Sequence, residues 1–375
     1  MHKKKIVIVA PNIAPLLYAA QFGGAGGAER QLALIAKGLS DKGYEIVFIC
    51  KEYTGNANLK TDAGWRTRFN AFRYFGGNKA YLFTDGRQLV HLLKKEKPDF
   101  IMMRAGGALL MAPLLLYKLL YGGKLINFVQ IDREVGPVSV NYKGREKLRA
   151  RLYQWMLRKA DIIFCQSQLQ KQLVAKYIKR DAVQIDNICG NIWMNNETVA
   201  VGEFDVFWAG NTTFQKRFDR VVKLAEMLPD IHFKIAMNGC TEKPALVNHH
   251  NIDFLGQVSP VQIESYFKSC RLFLNTSVAE GFPNTFLQAW YYGKPVVTAG
   301  IDPDGVITQE SIGEVINVNG DDDMSSVASV IKGLLSNQER YQQISENARS
   351  FVQKNRSIEE VTAVIDRQLQ RVCRL

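Results

Sequence analysis

Three short stretches of this 375-residue chain carry side chains that could handle a charged, hydroxylated ligand. The most informative runs from Arg271 to Thr298, RLFLNTSVAEGFPNTFLQAWYYGKPVVT, and reads as strand, loop and helix. Asn284 suits the helix N-cap, Thr285 opens the helix, and Gly293 with Pro295 just beyond closes it. Unpaired amides and a partial positive charge at a helix start favour phosphate. Glu280 sits in the loop before that helix, with Gly281, Phe282 and Pro283. A carboxylate there cannot bind phosphate, but it can accept hydrogen bonds from the hydroxyls of a sugar attached to it. Gln288, eight positions past Glu280, is expected to face the same ligand. The plain alternative is an ordinary helix with Glu280 in solvent.

The second stretch, Phe207 to Arg217, reads as a strand ending in Gly210, a short loop through Asn211, and the adjacent cations Lys216 and Arg217 opening a helix. The helix dipole disfavours cations at that end. Such a pair makes sense if it binds a diphosphate, or else it is two solvated charges. The third stretch, Gly23 to Arg30, is glycine-rich and includes Gly26 and Gly27. It fails the GxGxxG spacing and lies about a dozen residues past the first strand, so it is no dinucleotide fingerprint. It reads as backbone able to approach a ligand closely, or as a surface loop without one.

The elements that must position these residues follow from hydrophobic patterning. Lys5–Ala10, Glu45–Cys50, Phe100–Met103, Leu125–Val129, Asp161–Cys165 and Val183–Ile185 are near-continuous apolar runs. Helical patterns at Ala28–Ser40, Leu82–Lys95, Arg145–Lys159 and Gln168–Tyr177 alternate with them. That alternation predicts a parallel sheet covered on both faces. The period loosens over Asn191–Gly202 and restarts with strands at Asp205–Ala209, His232–Ala236, Ile252–Leu255, Arg271–Asn275 and Pro295–Ala299. Helices are predicted at Arg217–Met227, Pro260–Ser269 and Thr285–Tyr292, and the chain ends in helical patterns at Met324–Leu335, Gln338–Gln353 and Ser357–Val372. Two doubly wound domains are expected, with ligand at the carboxyl ends of the strands and in the cleft between them.

Composition bounds the classes. With 47% hydrophobic and 22% charged residues the chain is neither disordered nor fibrous. Its six Cys include no CxxC pair, which gives no support for a zinc or thioredoxin-type site and suits a reducing, cytoplasmic compartment. The apolar runs Ile6–Ala10 and Ala105–Tyr117 are too short for a signal peptide and a membrane span respectively. The net charge of +12 is uneven: residues 1–200 hold 31 Lys and Arg against 15 Asp and Glu, whereas residues 201–375 hold 17 against 21. The first half is therefore expected to meet something anionic, with nucleic acid and an anionic membrane surface both candidates.

Together these stretches resemble the retaining glycosyltransferases of the GT-B fold, family 4 (glycosyl transferases group 1). The resemblance spans nearly the whole chain: GGAER at 26–30, Ala160-Asp161 to Ser167, Asn187, WAG to Lys216, FLGQV at 254–258, and EGFPNTFLQAW at 280–290. In that family two Glu with seven residues between them contact the donor, the first by the sugar and the second on the nucleotide ribose. Glu280 matches the first, but Gln288 stands in the place of the second. The family usually follows the strand-end Gly with Arg and places Lys five residues on, to neutralise the donor diphosphate. Lys216 matches, Asn211 replaces the Arg, and Arg217 is the candidate to compensate. Some members carry a His beside the reacting sugar; none of the five His here fits, and Gln130 or Asp132 occupies the corresponding region.

The resemblance implies two Rossmann-like domains: residues 1–192 on the acceptor side, joined by helix 357–375 crossing back, and residues 193–356 binding the nucleotide sugar. It implies transfer of a sugar from a UDP- or GDP-linked donor to an acceptor hydroxyl with retention, in bacterial polysaccharide or lipid-linked glycan synthesis. Glu280, Lys216 and Asp132 would be catalytic. The donor would be held by Gly26, Gly27, Gly210, Asn211, Arg217, Gln257, Val258, Gly281, Phe282, Pro283, Asn284, Thr285 and Gln288. No cofactor or metal is expected, and Asp302-Pro303-Asp304 reads as a turn. Asn141–Lys159, basic and carrying Leu148, Leu152, Tyr153, Trp155 and Met156, suits an anionic membrane, as expected of an enzyme peripheral on the inner face of the plasma membrane. Alternatively Leu148, Leu152 and Trp155 pack inward. A non-catalytic nucleotide-sugar-binding relative and a basic nucleic-acid-binding protein are the competing readings; the chain carries no nucleic-acid motif.

Overall fold

The computed structural model describes residues 3–17, 26–51, 65–70, 84–104, 107–139, 142–190, 201–240, 249–259, 262–318 and 323–374. Gly23–Ala25 of the glycine-rich stretch and residues 191–200 of the loosened segment lie outside them. The chain forms two compact units, with a change of unit between Ile188 and Cys189 and a return after Ser357.

The first unit contains β1 (Lys5–Val9), α1 (Ala14–Leu17), α2 (Gly27–Asp41), β2 (Glu45–Lys51), β3 (Arg66–Asn70), α3 (Asp85–Glu96) and β4 (Phe100–Arg104). It continues through α4 (Gly107–Tyr121), β5 (Lys124–Phe128), α5 (Asp132–Val135), α6 (Gly144–Leu157), β6 (Ile162–Cys165), α7 (Gln168–Leu173) and β7 (Val183–Gln184). Among the described residues the strands form one parallel sheet in the order β3-β2-β1-β4-β5-β6-β7. The central strands are buried on both faces, as their uninterrupted apolar runs require. Leu89 and Leu93 of α3, Leu110, Met111 and Leu114 of α4, and Tyr153, Met156 and Leu157 of α6 share one core, so these three helices cover the same sheet face.

The second unit contains β8 (Phe204–Asn211), α8 (Phe218–Met227), β9 (Phe233–Asn238), β10 (Ile252–Gly256), α9 (Gln262–Ser269), β11 (Cys270–Asn275) and α10 (Asn284–Tyr291). It closes with β12 (Val296–Thr298), α11 (Val306–Glu310), β13 (Gly313–Val315), α12 (Ser325–Ser336) and α13 (Gln338–Asn355). Its parallel sheet has the order β10-β9-β8-β11-β12-β13. One core is built around Trp208 and Phe233, a second around Phe207, Phe273 and Trp290. The last helix, α14 (Ile358–Arg374), groups with the first unit. It lies against α2, where a Cβ on Gly38 would stand 2.6 Å from Thr362, and Tyr44 Oη donates to Asp366 at 2.6 Å.

Both sheets are Rossmann-like. The elements absent from the sequence reading are the edge strands β3 and β13 and the helices α1, α4, α5 and α11. No helix among the described residues is long and apolar enough to cross a membrane.

Candidate functional site

In the second sheet the strand order turns between β8 and β11: the chain leaves β8 toward β9 on one side and later returns to β11 on the other. Loops that diverge from adjacent parallel strands leave a crevice at their carboxyl ends, the usual place for a ligand in such sheets. The turn Phe214–Lys216 enters it from β8 and the segment Thr276–Pro283 from β11.

These two loops are tied together by hydrogen bonds. Trp208 Nε1 donates to Thr276 Oγ1 at 3.0 Å, Thr276 Oγ1 donates to the Lys216 carbonyl at 2.8 Å, and Val278 N donates to the Gln215 carbonyl at 2.9 Å. Gly210 is required there: a Cβ would lie 2.6 Å from the buried Trp208 ring. The result brings Lys216 and Glu280 into an ion pair across 64 residues of sequence. The same Glu280 oxygen accepts from Ser277 Oγ at 2.8 Å, and Ser277 N is in turn oriented by Asn275 Oδ1 at 3.2 Å. Both charged side chains are about four-fifths buried, at 20% and 17% exposure, yet both reach solvent. A cation and a hydroxyl-accepting carboxylate therefore stand side by side at the carboxyl ends of β8 and β11.

The other candidates of this unit fall around that pair unevenly. Helix α10 starts at Asn284, with Pro283 as its N-cap, so Asn284 is its first turn rather than the cap expected, and Thr285 follows. The φ of −65° fixed by the Pro283 ring suits an entry into the helix. Gly281 is exposed in the loop, while Phe282 is buried edge-on to Trp290. Asn211 bends its own loop: its Oδ1 accepts from Thr213 N at 3.2 Å and Thr213 Oγ1 at 2.6 Å. Arg217 does not stand beside Lys216 as a second free cation. Its guanidinium grips Asp219 in the first turn of α8, with Nε at 2.9 Å and Nη2 at 2.7 Å, a fork that matches a carboxylate. Gln257 reaches back to Gly239 N at 3.4 Å, and Val258 packs on the second core. Both lie beyond the end of β10, two strands from β8.

Gln288 departs most from expectation. It is buried, and its Nε2 donates to Glu264 Oε1 on α9 at 2.9 Å rather than turning to a ligand shared with Glu280. Tyr292 Oη donates to the other Glu264 oxygen at 3.1 Å. A buried carboxylate needs donors, and an amide supplies one where a second carboxylate would repel. Nothing in the sequence pattern had singled out Glu264. Asp302 is a helix-start residue: its carboxylate accepts from Ile307 N at 2.7 Å and Thr308 Oγ1 at 2.7 Å, which makes Asp302-Pro303-Asp304 a turn.

In the first unit the order turns between β1 and β4. Gly26 is the N-cap of α2 and Gly27 its first residue; a Cβ on Gly26 would meet Glu29 Oε2 at 2.8 Å. Asp132 opens α5, and its Oδ1 accepts from Gln170 Nε2 at 3.0 Å. The Gln130 main chain donates to Glu134 Oε2 at 2.8 Å and accepts from Gln166 at 3.0 Å. Burial pushes the Glu134 carboxyl above its ordinary range despite the amides of Gln130 and Ile131 and the nearby charges of Arg104 and Arg133.

Arg104, which sequence reasoning passed over, ends β4 at this switch point. It is 6% exposed, and burial lowers its pKa to about 10. Its Nη2 donates to Asn187 Oδ1 at 3.1 Å, Asn187 donates to Gln166 at 2.9 Å, and Gln166 donates to the Val129 carbonyl at 2.8 Å. Its Nε has no partner among the described residues. The available signal was a lone cation closing the apolar strand FIMMR ahead of two glycines.

Comparison with known proteins bears on family and fold. Residues 25–187 match the family described as Glycosyltransferase Family 4, and residues 191–351 that described as Glycosyl transferases group 1. An uncharacterized glycosyltransferase from Haemophilus influenzae is 24% identical over 349 residues, spanning 87% of this chain and 92% of its own length. Sucrose-phosphate synthase from Thermosynechococcus elongatus superposes with a TM-score of 0.76 at 14% identity, over 99% of both chains. HepE from Anabaena, solved in complex with UDP-glucose, gives 0.72 at 15% identity over 98% of this chain and 99% of its own.

Proposed function

Because the chain belongs to the family 4, group 1 glycosyltransferases and folds as GT-B, we propose that it moves a sugar from a nucleoside-diphosphate sugar to an acceptor hydroxyl with retention. The observation that carries this reading is the pairing of Lys216 with Glu280 at the β8–β11 crevice. UDP is the preferred carrier, since HepE of the same fold was solved with UDP-glucose. GDP is the second choice.

In the reaction the bond from the sugar C1 to the diphosphate oxygen breaks and its electron pair stays on that oxygen. The acceptor oxygen bonds to C1 on the face the leaving group vacates, and the hydroxyl proton passes to the diphosphate. Negative charge grows on the leaving oxygen. Lys216 and the amino end of α10 neutralise it where water is largely excluded, the condition under which such groups act most strongly. Diphosphate competes with Glu280 for Lys216, and the carboxylate so released turns to the hydroxyls of the sugar. On this scheme the charge is carried by protein groups, and metal is not required. The acceptor is a glycan, free or lipid-linked, presented at an anionic membrane face, as the positive first half favours.

The test is donor turnover: purified protein with UDP-glucose, UDP-N-acetylglucosamine and GDP-mannose, following release of the nucleotide. At least one donor is turned over, and Glu280→Ala removes most of that rate. Turnover unaffected by Glu280→Ala contradicts the site. A non-catalytic sugar-nucleotide binder is the second reading, favoured by Gln288 being taken up by Glu264. It predicts nucleotide binding with no turnover of any donor.

A further inference from the structure

Helix α6 is apolar on two sides. Tyr153, Met156 and Leu157 enter the core, so Leu148, Leu152 and Trp155 point away from it, at 66%, 44% and 54% exposure. The inward packing that would have made this segment an ordinary surface helix does not occur. Its neighbour α4 does the same near its carboxyl end, where Leu116, Leu119, Leu120 and Tyr121 are exposed, Leu119 by 81%. The two helices cover one sheet face, and Lys118 Nζ of α4 donates to the Lys159 carbonyl just beyond α6 at 2.9 Å. The end of α4 is thereby fixed beside the end of α6, and the outward Leu, Tyr and Trp side chains form one band.

The rim of that band is predominantly cationic. Lys143, Arg145, Arg149, Arg151, Arg158 and Lys159 are exposed along α6 and its ends, with Glu146 the only acid between residues 143 and 159. On the α3 side Lys94 lies over the Tyr121 ring at 5.2 Å. Large apolar side chains on one unit of a folded chain mark an interaction surface. A second copy seated on this band would bring the two cationic rims together. A polyanion without apolar parts would leave the leucines in water. A bilayer holding anionic lipid satisfies both, with hydrocarbon for the leucines, headgroup depth for Trp155 and Tyr121, and phosphate for the rim.

We propose that the outer face of α4 and α6 seats the first unit on an anionic bilayer, lying in the interface rather than crossing it. This rests on the reading that the acceptor is presented at a membrane, and it names the surface that meets that membrane. The inner sides of both helices are committed to the protein core, so only the outer side chains enter lipid.

Flotation of the full chain with vesicles tests it, using equal parts phosphatidylglycerol and phosphatidylcholine against phosphatidylcholine alone. The protein floats with the anionic vesicles, less so as salt rises. The variant L119S/L120S/W155S loses binding by about tenfold or more, because apolar area leaves the lipid. The variant R145E/R149E/R151E loses it as well. All six side chains are exposed, so both variants keep the wild-type melting temperature and its rise with UDP. Absence of flotation overturns the proposal, as does flotation of the apolar variant equal to wild type. Light scattering that finds a dimer converted to monomer by the apolar variant also overturns it, in favour of a second copy. A protein that floats but whose melting temperature ignores UDP contradicts the donor reading and leaves this surface standing.

Discussion

Lys216 and Glu280 form an ion pair in the fold, and that sets what each substitution does. Removing the Glu280 charge frees the ammonium, whereas removing Lys216 leaves a largely buried carboxylate without its cation. Gln288 and Glu264 form a second coupled pair, and the amide is the member that lets the carboxylate be buried. Gln288→Glu sets two buried carboxylates against each other and is expected to destabilise by about 1–3 kcal/mol, comparable to leaving a buried polar group unsatisfied. Adding Glu264→Gln restores the hydrogen bond with its direction reversed, and urea unfolding should return toward wild type. A double variant no more stable than Gln288→Glu alone rejects the coupling. Glu134 supplies a pH signature. Its pKa is raised in the fold above 4.5, so the native state binds the proton more tightly than the unfolded chain. Stability from this group is fully present below the ordinary carboxylate range and is lost as pH rises through the folded value. Glu134→Gln stays neutral, so its stability relative to wild type should improve between pH 4 and pH 7. Parallel pH profiles for the two proteins would contradict this.

At the scale of elements, Gly38 decides how closely α14 lies on α2. A Cβ there would stand 2.6 Å from two Thr362 atoms and 2.7 Å from Ile358. Gly38→Ala should therefore cost about 1–3 kcal/mol through overpacking, more than its gain in helix propensity. Limited proteolysis should then release α14 sooner, and Thr362→Ala in the same chain should recover part of the loss. Most elements were legible beforehand because buried parallel strands announce themselves: IVIV of β1, IVFIC of β2 and LFL of β11 are apolar on both faces. The missed ones lacked that signal. Strand β3, RTRFN, is an edge strand that opens on Arg, Thr and Arg, and β13 has three residues beginning with Gly. Helix α4 is apolar nearly all round and contains Pro113, so no helical period stands out in it. That Lys216 and Glu280 lie on loops at the carboxyl ends of adjacent strands was readable, because each follows its strand at a short offset. Glu264, the partner of Gln288, was unseen because the contact joining α9 to α10 depends on packing, and no spacing in one helix reveals the other. Arg104 was hidden for the same reason: its importance lies in what surrounds it.

At the scale of the molecule, charge and apolar exposure are divided as the proposed activity requires. The positive first half carries the outward leucines of α4 and α6 beside the cations of α6. In the slightly acidic second half, Lys216 and Glu280 meet at the β8–β11 switch point. The most direct test of the central claim is calorimetric titration of UDP into wild type, Lys216→Met and Glu280→Gln. A charge-assisted contact to phosphate is worth about 1.5–3 kcal/mol, so Lys216→Met should weaken UDP about tenfold or more. Glu280→Gln, which relieves the competing ion pair, should bind UDP at least as tightly as wild type while turning over the sugar nucleotide far more slowly. Equal affinity of wild type and Lys216→Met for UDP would contradict the account.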